Sequence, residues 1–271
     1  MGPAMDPGPG PAAHPLDSAA TDMLVRMESI VKRFGAVEAL RGVDLALGRG
    51  EVLGLVGDNA AGKSTLMKVL TGVHQPDEGR IFFEGRPVHF RDPHDSRALG
   101  IEMIYQDLAL VPSLDVVANV FLGREKVRRR LGGLLRTLDE RAMERATWDV
   151  IHRLKINMDS VRKPVSLFSG GQRQAVAIGR AMSFNARVII MDEPTAALAV
   201  REVAKVLDLV CDLRGHGVSV ILISHRMQDV FAVADRVMVL YGGYGMGVRR
   251  VAETSMDEVV RLIVGANERV S

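Results

Sequence analysis

Eight consecutive residues have the types and spacing of a loop that binds phosphate groups. Glycine stands first and sixth, and a lysine and a hydroxyl residue follow, in the order Gly57, Asp58, Asn59, Ala60, Ala61, Gly62, Lys63 and Ser64. The small residues allow consecutive backbone N–H groups to turn inward around a phosphate. The lysine ammonium can bridge two phosphates, and the hydroxyl can bind Mg²⁺. This order predicts a site for a nucleoside triphosphate, and Thr65, the next residue, is assigned to it as well.

The residues on either side predict the two elements that such a loop requires. An apolar run at 51–56 is typical of a buried strand, and residues 64–70 are typical of a helix that ends near Gly72. The positive end of that helix would face the phosphates. The alternative interpretation is an ordinary glycine-rich turn before a helix.

Ala60 is the unusual residue inside this loop. Loops of this kind commonly have glycine at this position, often in a backbone conformation that favours it. Alanine keeps the N–H donor, but a positive φ would cost it about 1–2 kcal/mol. If φ is positive at Ala60, we expect the loop to bind its ligand more weakly or to adopt a slightly altered conformation.

Two carboxylates follow a second apolar run. Residues 188–191 predict a buried strand, and Asp192 and Glu193 come directly after it. Parallel strands direct their carboxyl ends toward the ligand crevice. Asp192 could then orient Mg²⁺ through its water shell, and Glu193 could polarise an attacking water as general base. A strand that ends in a solvated acidic turn is the alternative.

Composition limits the classes of protein to which the chain can belong. Its 271 residues, 47% of them hydrophobic, suffice for one sizeable domain divided into two lobes. A formal net charge of +2 gives no support for nucleic-acid binding. The single cysteine, Cys211, excludes an internal disulfide, and its apolar helical neighbours predict that it is buried. Because the longest apolar runs are too short to span a bilayer and no secretory signal is recognisable, we expect a cytoplasmic chain.

The pattern changes along the chain. Residues 1–21 are rich in Pro, Gly and Ala, which predicts disorder. Residues 24–90 are typical of strands and turns, with a hairpin turn at Gly85, whereas 107–179 have a helical pattern. After residue 185, strands and helices alternate, which favours a parallel sheet covered by helices.

Four further motifs accompany the phosphate loop and the acidic strand end. The sequence contains a signature segment similar to LSGGQ, a glutamine after a strand, a histidine after another strand and an aromatic residue near the start: Phe168, Ser169, Gly170, Gly171 and Gln172; Gln106; His225; Phe34. Along the chain, all six motifs occur in the order typical of one family. Over about residues 24–265, the sequence resembles the ATP-binding subunits of ABC transporters.

This resemblance implies a fold and its division into lobes. The fold is α/β, a P-loop NTPase core with a mixed, mainly parallel sheet, an antiparallel β subdomain and an inserted α-helical subdomain. The ATPase domain is expected at 22–265, followed by a tail at 266–271. Its catalytic lobe comprises 22–105 and 181–265, and its helical lobe lies at about 106–180.

The resemblance also implies the role of each motif. Glu193, His225, Gln106 and Lys63 would be catalytic, with Ser64, Gln106 and Asp192 around Mg²⁺. The signature residues Ser169 to Gln172 would bind the γ-phosphate of ATP held by a second copy of the chain. Phe34 would stack on adenine. From the residues alone, Ser169 and Gln172 could simply cap a helix, His225 could be an ordinary polar residue and Phe34 could belong to the core.

Two residues depart from the pattern of the family. Phe168 stands where leucine is usual, an apolar exchange beside the glycine pair that we expect to preserve function. Ala199 stands where many members have an aspartate that couples the two sites of the dimer. We therefore expect altered communication between the sites more than altered binding.

The segments that follow Gln106 and Glu193 are similar to the corresponding segments of importers of sugars. The implied partners are transmembrane permease subunits, a second copy in an ATP-sandwich homodimer and, indirectly, an extracytoplasmic solute-binding protein, at the cytoplasmic face of the membrane. Three alternatives stay open: an ATP-binding switch with weak hydrolysis, an importer of another solute, and a soluble ABC protein of DNA repair or translation. A GTP switch is disfavoured because no N-K-x-D motif is present.

Overall fold

The computed structural model describes residues 23–130 and 135–264. The disorder predicted for 1–21 and the tail at 266–271 lie outside the described residues. The described strands are β1 (Met23–Phe34), β2 (Val37–Gly48), β3 (Val52–Gly57), β4 (Glu78–Phe83), β5 (Arg86–Val88), β6 (Ile101–Ile104), β7 (Val127–Arg130), β8 (Leu135–Leu138), β9 (Val188–Asp192), β10 (Ser219–Ile223), β11 (Arg236–Tyr241) and β12 (Tyr244–Arg250). The described helices are α1 (Lys63–Leu70), α2 (Pro93–Ala98), α3 (Val116–Phe121), α4 (Glu140–Arg153), α5 (Gly170–Met182), α6 (Val200–Gly215), α7 (Met227–Val233) and α8 (Met256–Val264).

A six-stranded sheet forms the centre of the fold, in the order β12-β11-β3-β10-β9-β6. All its neighbours are parallel except β12, which pairs antiparallel with β11. Both faces are covered: in β10, Ile221 and Ile223 belong to one hydrophobic cluster, and Val220 and Leu222 to another. Continuous apolar strands are what a parallel sheet buried on both faces requires. The predicted mainly parallel sheet is confirmed.

A second, antiparallel sheet has the order β2-β1-β4-β5. It packs on one face of the central sheet through a cluster that includes Met27, Leu45 and Leu66, the last from α1. The predicted hairpin joins β4 to β5, and Gly85 has φ 73 in its turn. This sheet places the β1–β2 hairpin beside the start of α1.

Helices α3, α4 and α5 enclose a third hydrophobic cluster, with Phe121, Ile151 and Val176 at its centre. Between α3 and α4 the predicted helical pattern is interrupted, because β7 and β8 form an antiparallel hairpin. The N–H of Asp139 donates to the carbonyl of Lys126 at 2.7 Å and closes the base of that hairpin. Two adjacent glycines between these strands in the sequence are unfavourable to helix.

Helix α6 shows why the prediction for Cys211 is wrong. Its buried face includes Val206, Val210 and Leu213, spaced three and four residues apart. Cys211 lies outside this stripe and is exposed. Among the described helices, none is long and apolar enough to cross a membrane.

Candidate functional site

A cleft of about 650 Å³ opens where β3, β9 and β10 end. These strands are parallel neighbours, so their carboxyl ends meet at one edge of the sheet. The lining combines the phosphate loop, the acidic strand end and two further motifs: Val37, Glu38, Ala39, Asn59, Ala60, Ala61, Gly62, Lys63, Ser64, Thr65, Gln106, Asp192, Glu193, Ala196, Ile223, His225, Gly242 and Gly243. The structure thus brings together residues that lie far apart in the sequence.

Two glycines of the phosphate loop occupy positions that only glycine fits. Gly57 has φ 152, and an added Cβ would lie 2.1 Å from the carbonyl oxygen of Leu240. Gly62 has φ 101, and its Cβ would lie 2.9 Å from the carbonyl oxygen of Ala39. Both contacts are with backbone, so neither can be relieved by a change of rotamer. The motif glycines are therefore required by the local packing of the loop.

Lys63 begins α1 and lies across the loop. Its Nζ donates hydrogen bonds to the carbonyl oxygens of Gly57 at 2.8 Å and Asp58 at 2.9 Å. Burial lowers the pKa of Lys63, and the charges of Glu193, Asp192 and Asp58 act in the opposite direction. The ammonium is thus partly desolvated and faces the space above the loop, which favours interaction with an anion.

Ala60 has φ 63, in the left-handed region. Its side chain is exposed, so the methyl group packs against little. A positive φ is the condition under which strain is expected at this alanine, and the structure meets it. The loop therefore carries a backbone cost that glycine would not impose.

Asp192 and Glu193 lie at the end of β9. Glu193 also has a left-handed backbone, with φ 51, and its N–H donates to the carbonyl of Ile223 at 2.9 Å. Burial raises the pKa of Asp192, and the charge of Glu193 raises it further, while Lys63 and Lys68 oppose the change. The two adjacent carboxylates therefore lie where an additional cation is favourable.

His225 follows β10 and contacts the carboxylate of Glu193. The backbone N–H of His225 donates to Glu193 Oε1 at 3.1 Å, and His225 Nδ1 lies 2.7 Å from Oε2. Oε2 is buried and makes no hydrogen bond within the described chain, so the Nδ1 contact is one of proximity without hydrogen-bond geometry. The histidine side chain is 65% exposed and faces the cleft. A protonated imidazole would form an ion pair with this carboxylate.

The structure tests only one of the two interpretations of Phe34, that it belongs to the core. Its side chain is 43% exposed, so the assignment to the core is wrong. Its ring makes an edge-to-face contact with His74, with centroids 5.1 Å apart. The cleft is lined by Val37, Glu38 and Ala39 of the following strand rather than by Phe34.

The signature segment begins α5. Ser169 is the N-cap: its Oγ accepts from the N–H of Gln172 at 3.3 Å, and Gln172 Oε1 accepts from the N–H of Ser169 at 3.1 Å. The helix-cap interpretation is therefore correct as geometry. Phe168, at the usual leucine position, is 7% exposed and belongs to the cluster of the helical region. The four residues Ser169 to Gln172 are not part of the lining of the phosphate-loop cleft.

Sequence reasoning missed a turn that supports the phosphate loop. Gly242 and Gly243 form the turn that joins β11 to its antiparallel neighbour β12. The N–H of Gly243 donates to the carbonyl of Ala61 at 3.2 Å, and its carbonyl accepts from the N–H of Arg41 at 2.9 Å. The glycine pair signals a turn in the sequence, but nothing local indicates where that turn packs.

A buried hydrogen bond that sequence reasoning also missed joins the two segments carrying Glu193 and His225. The Thr195 hydroxyl donates to Asp229 Oδ2 at 2.6 Å, and Arg226 Nε lies 3.4 Å from the same oxygen. Thr195 and Asp229 are 1% and 4% exposed. The bond therefore fixes the turn after Glu193 against α7, which follows His225.

Comparisons with known proteins agree with this geometry. Residues 40–196 match the family described as ABC transporter. The chain is 43% identical over 240 residues to a xylose/arabinose import ATP-binding protein of Sulfolobus acidocaldarius, covering 89% of this chain and 93% of that protein. It is 42% identical over 252 residues to a fructose import ATP-binding protein of Rhizobium meliloti, covering 92% and 96%.

Other relatives are much longer than this chain. It is 44% identical over 264 residues to a ribose import ATP-binding protein of Burkholderia pseudomallei, of which it spans 30%. Among solved structures, a nucleotide-free ATP-binding cassette from an ABC transporter superposes with TM-score 0.77 at 28% identity, covering 92% of this chain and 98% of that chain. With a family match over more than half of its length and close relatives that it covers almost completely, the chain belongs to the ABC transporter family.

Proposed function

We propose that the chain binds ATP with Mg²⁺ and hydrolyses it to ADP and phosphate, and that this reaction drives sugar uptake through partner permease subunits. The observation that carries the proposal is the convergence of Lys63, Gln106, Asp192, Glu193 and His225 on one cleft. A phosphate-binding loop alone would support only nucleotide binding. A carboxylate and a histidine in contact beside that loop support hydrolysis.

The phosphate loop holds the substrate. Backbone N–H groups of residues 57–62 would bind the phosphates, for which those of Asn59 and Ala61 leave the Asp58 oxygens to which they donate. Lys63 would exchange its two carbonyl hydrogen bonds for contacts with the β- and γ-phosphates. Ser64 and Thr65, in the first turn of α1, add hydroxyl groups at the positive end of that helix. Phe34 would stack on adenine; its ring is 43% exposed and meets His74 edge to face.

The residues assigned to Mg²⁺ fit a hard cation. Asp192 is a carboxylate whose pKa burial and Glu193 raise, so a positive ion relieves an unfavourable charge there. Ser64 and Gln106 line the same cleft, and their hydroxyl and amide oxygens would complete an oxygen donor set for the ion. When bound, Mg²⁺ neutralises charge on the phosphates.

Glu193 acts as general base. Its Oε2, buried and without a hydrogen bond within the described chain, is the oxygen that accepts a proton from the attacking water. The N–H of His225 fixes the other oxygen. The water oxygen forms a bond with the γ-phosphorus while the bond to the β–γ bridging oxygen breaks, which releases ADP and phosphate. The exposed His225 ring contacts the γ-phosphate and keeps Glu193 in place.

A second copy of the chain completes each site. None of Ser169, Gly170, Gly171 and Gln172 lines the cleft of the phosphate loop, and Gly170 lines only a neighbouring pocket with Gln106 and Glu193. This arrangement supports action on the nucleotide of the other copy. Gly171 presents a backbone N–H at the start of α5, and Ser169 presents its hydroxyl. Both donors suit a γ-phosphate.

The transport role follows from the relatives. Proteins named for the import of ribose, xylose/arabinose and fructose share 42–44% identity with this chain. We assign residues 22–265 to the ATPase domain, with the helical lobe at about 106–180 contacting the permease. The chain then works as a homodimer at the cytoplasmic face of the membrane, and an extracytoplasmic solute-binding protein delivers the sugar to the permease.

A specific observation supports a second function, an ATP-dependent switch with weak hydrolysis. Ala60 has a left-handed backbone inside the phosphate loop, and Ala199 provides no side-chain cap for α6. Both features affect segments close to the nucleotide or to Glu193. Slow phosphate release together with ATP-driven dimerisation would favour the switch.

The test compares phosphate release with ATP binding. Glu193→Gln keeps the size of the side chain and removes its basicity, so it should bind ATP normally while phosphate release falls by about 10²-fold or more. Glu140→Gln, the same substitution at an exposed position of α4, serves as the matched control. A Glu193→Gln variant that releases phosphate at the rate of the parent chain contradicts hydrolysis at this site.

A further inference from the structure

The carboxylate of Glu202 lies on the signature segment of its own chain. Glu202 is in the first turn of α6, and its Oε1 accepts from the N–H of Gly171 at 3.3 Å. The Ser169 side chain is close enough to this carboxylate to lower its pKa. Its Oε2 accepts from the N–H of Ala199 at 3.4 Å. A single side chain thus contacts both the signature segment and the turn that follows Glu193.

The chemistry of these contacts is that of an anion site. The Ser169 Oγ already accepts from the N–H of Gln172, so its own proton remains available for an acceptor such as the Glu202 carboxylate. The pKa of Glu202 lies below its usual value, first because of the Ser169 side chain and then because of the Gly171 bond. The carboxylate is therefore ionised at neutral pH, and a negative group faces the two donors of the signature.

Close packing keeps α6 against the signature. An added Cβ on Gly170 would lie 2.6 Å from Leu198 Cδ2, and one on Gly171 would lie 3.2 Å from Glu202 Cβ. The two signature glycines therefore lie directly against the side chains of Leu198 and Glu202. The carboxylate can leave the two donors by rotation of its own side chain, because Glu202 is only partly buried.

We propose that Glu202 is an internal anion that occupies the signature of the single chain and competes with the γ-phosphate presented by a second copy. The inference rests on the proposed function, in which Ser169 and Gly171 bind that phosphate. A carboxylate and a phosphate repel each other and require the same donors, so closure of the dimer displaces Glu202. Glu202 also accepts from the N–H of Ala199, in the turn after Glu193. When a phosphate displaces Glu202 from the signature, this turn therefore loses a hydrogen bond and responds to the binding event.

The competition predicts that neutralising Glu202 makes dimerisation easier. In the Glu193→Gln chain, which retains bound ATP, the ATP concentration for half-maximal dimer is measured by analytical ultracentrifugation. Adding Glu202→Gln should lower this concentration by about three- to tenfold, since a partly exposed charge-assisted contact no longer opposes closure. Glu202→Asp, which keeps the charge but withdraws the carboxylate by one methylene, should lower it as well.

A matched control separates this contact from general charge. Asp208→Asn removes one negative charge from an exposed position of the same helix, and the half-maximal concentration should not change. The inference is overturned if both Glu202 variants need an ATP concentration for half-maximal dimer that equals or exceeds that of the Glu193→Gln chain. Glu202 would then serve to organise the signature segment. A parent chain that binds no ATP or never dimerises overturns the proposed function and this inference with it.

Discussion

Replacing Ala60 by glycine tests whether the phosphate loop carries backbone strain. At φ 63 an alanine costs about 1–2 kcal/mol relative to glycine in the folded state. Glycine loses about 0.5–1 kcal/mol more conformational entropy on folding, which offsets part of that gain. The exposed methyl contributes little packing. Ala60→Gly is therefore expected to stabilise the chain by about 0.5–1 kcal/mol, or roughly 1–4 °C in Tm for a domain of this size.

Thermal unfolding without nucleotide measures this effect. Ala61→Gly is the control, because Ala61 lies outside the left-handed region and is 3% exposed. That change removes a buried methyl group and adds chain entropy, so it should lower stability by about 1 kcal/mol. Opposite signs for the two substitutions support strain at Ala60. A lower Tm for Ala60→Gly would falsify the reasoning.

Two further predictions concern the groups around Glu193. Because the pKa of Asp192 is raised on folding, its charge destabilises the fold increasingly as the pH rises from the unfolded pKa of about 3.9 through the folded pKa. Without Mg²⁺, the urea midpoint of unfolding of Asp192→Asn should therefore exceed that of the parent chain increasingly as the pH rises through this window. A difference in midpoint that does not change with pH contradicts this. Thr195→Val removes a donor from the buried Asp229 and should cost about 1–3 kcal/mol in urea unfolding. Thr195→Ser should restore most of that stability, and a Ser variant as unstable as Val would place the cost in packing.

The sequence was sufficient wherever the chemistry is local. The phosphate loop, the acidic end of β9 and the hairpin at Gly85 each depend on a few consecutive residues whose backbone geometry follows from their types. The family resemblance added Gln106, His225 and the signature, which have little local signal. The φ of Ala60 could be stated only as a condition, since the loop conformation depends on how β3, α1 and the turn at Gly243 pack.

Contacts between distant segments account for what could not be predicted. Thr195 and Asp229 are 34 positions apart, and Gly171 and Glu202 are 31 apart. Only the packing of α5, α6 and α7 brings them together. The exposure of Cys211 has a different origin, because an apolar neighbourhood in the sequence does not determine which face of α6 a residue occupies.

Mixing two inactive variants tests most directly whether two copies build each ATP site. Lys63→Ala disables the phosphate loop, and Gly171→Asp disables the signature, so each variant alone should release no phosphate. In a mixed dimer, one site combines an intact loop from one copy with an intact signature from the other. An equal mixture should regain phosphate release, up to about a quarter of the parent rate if dimers form at random. A mixture that stays as inactive as its two components contradicts a site shared between copies.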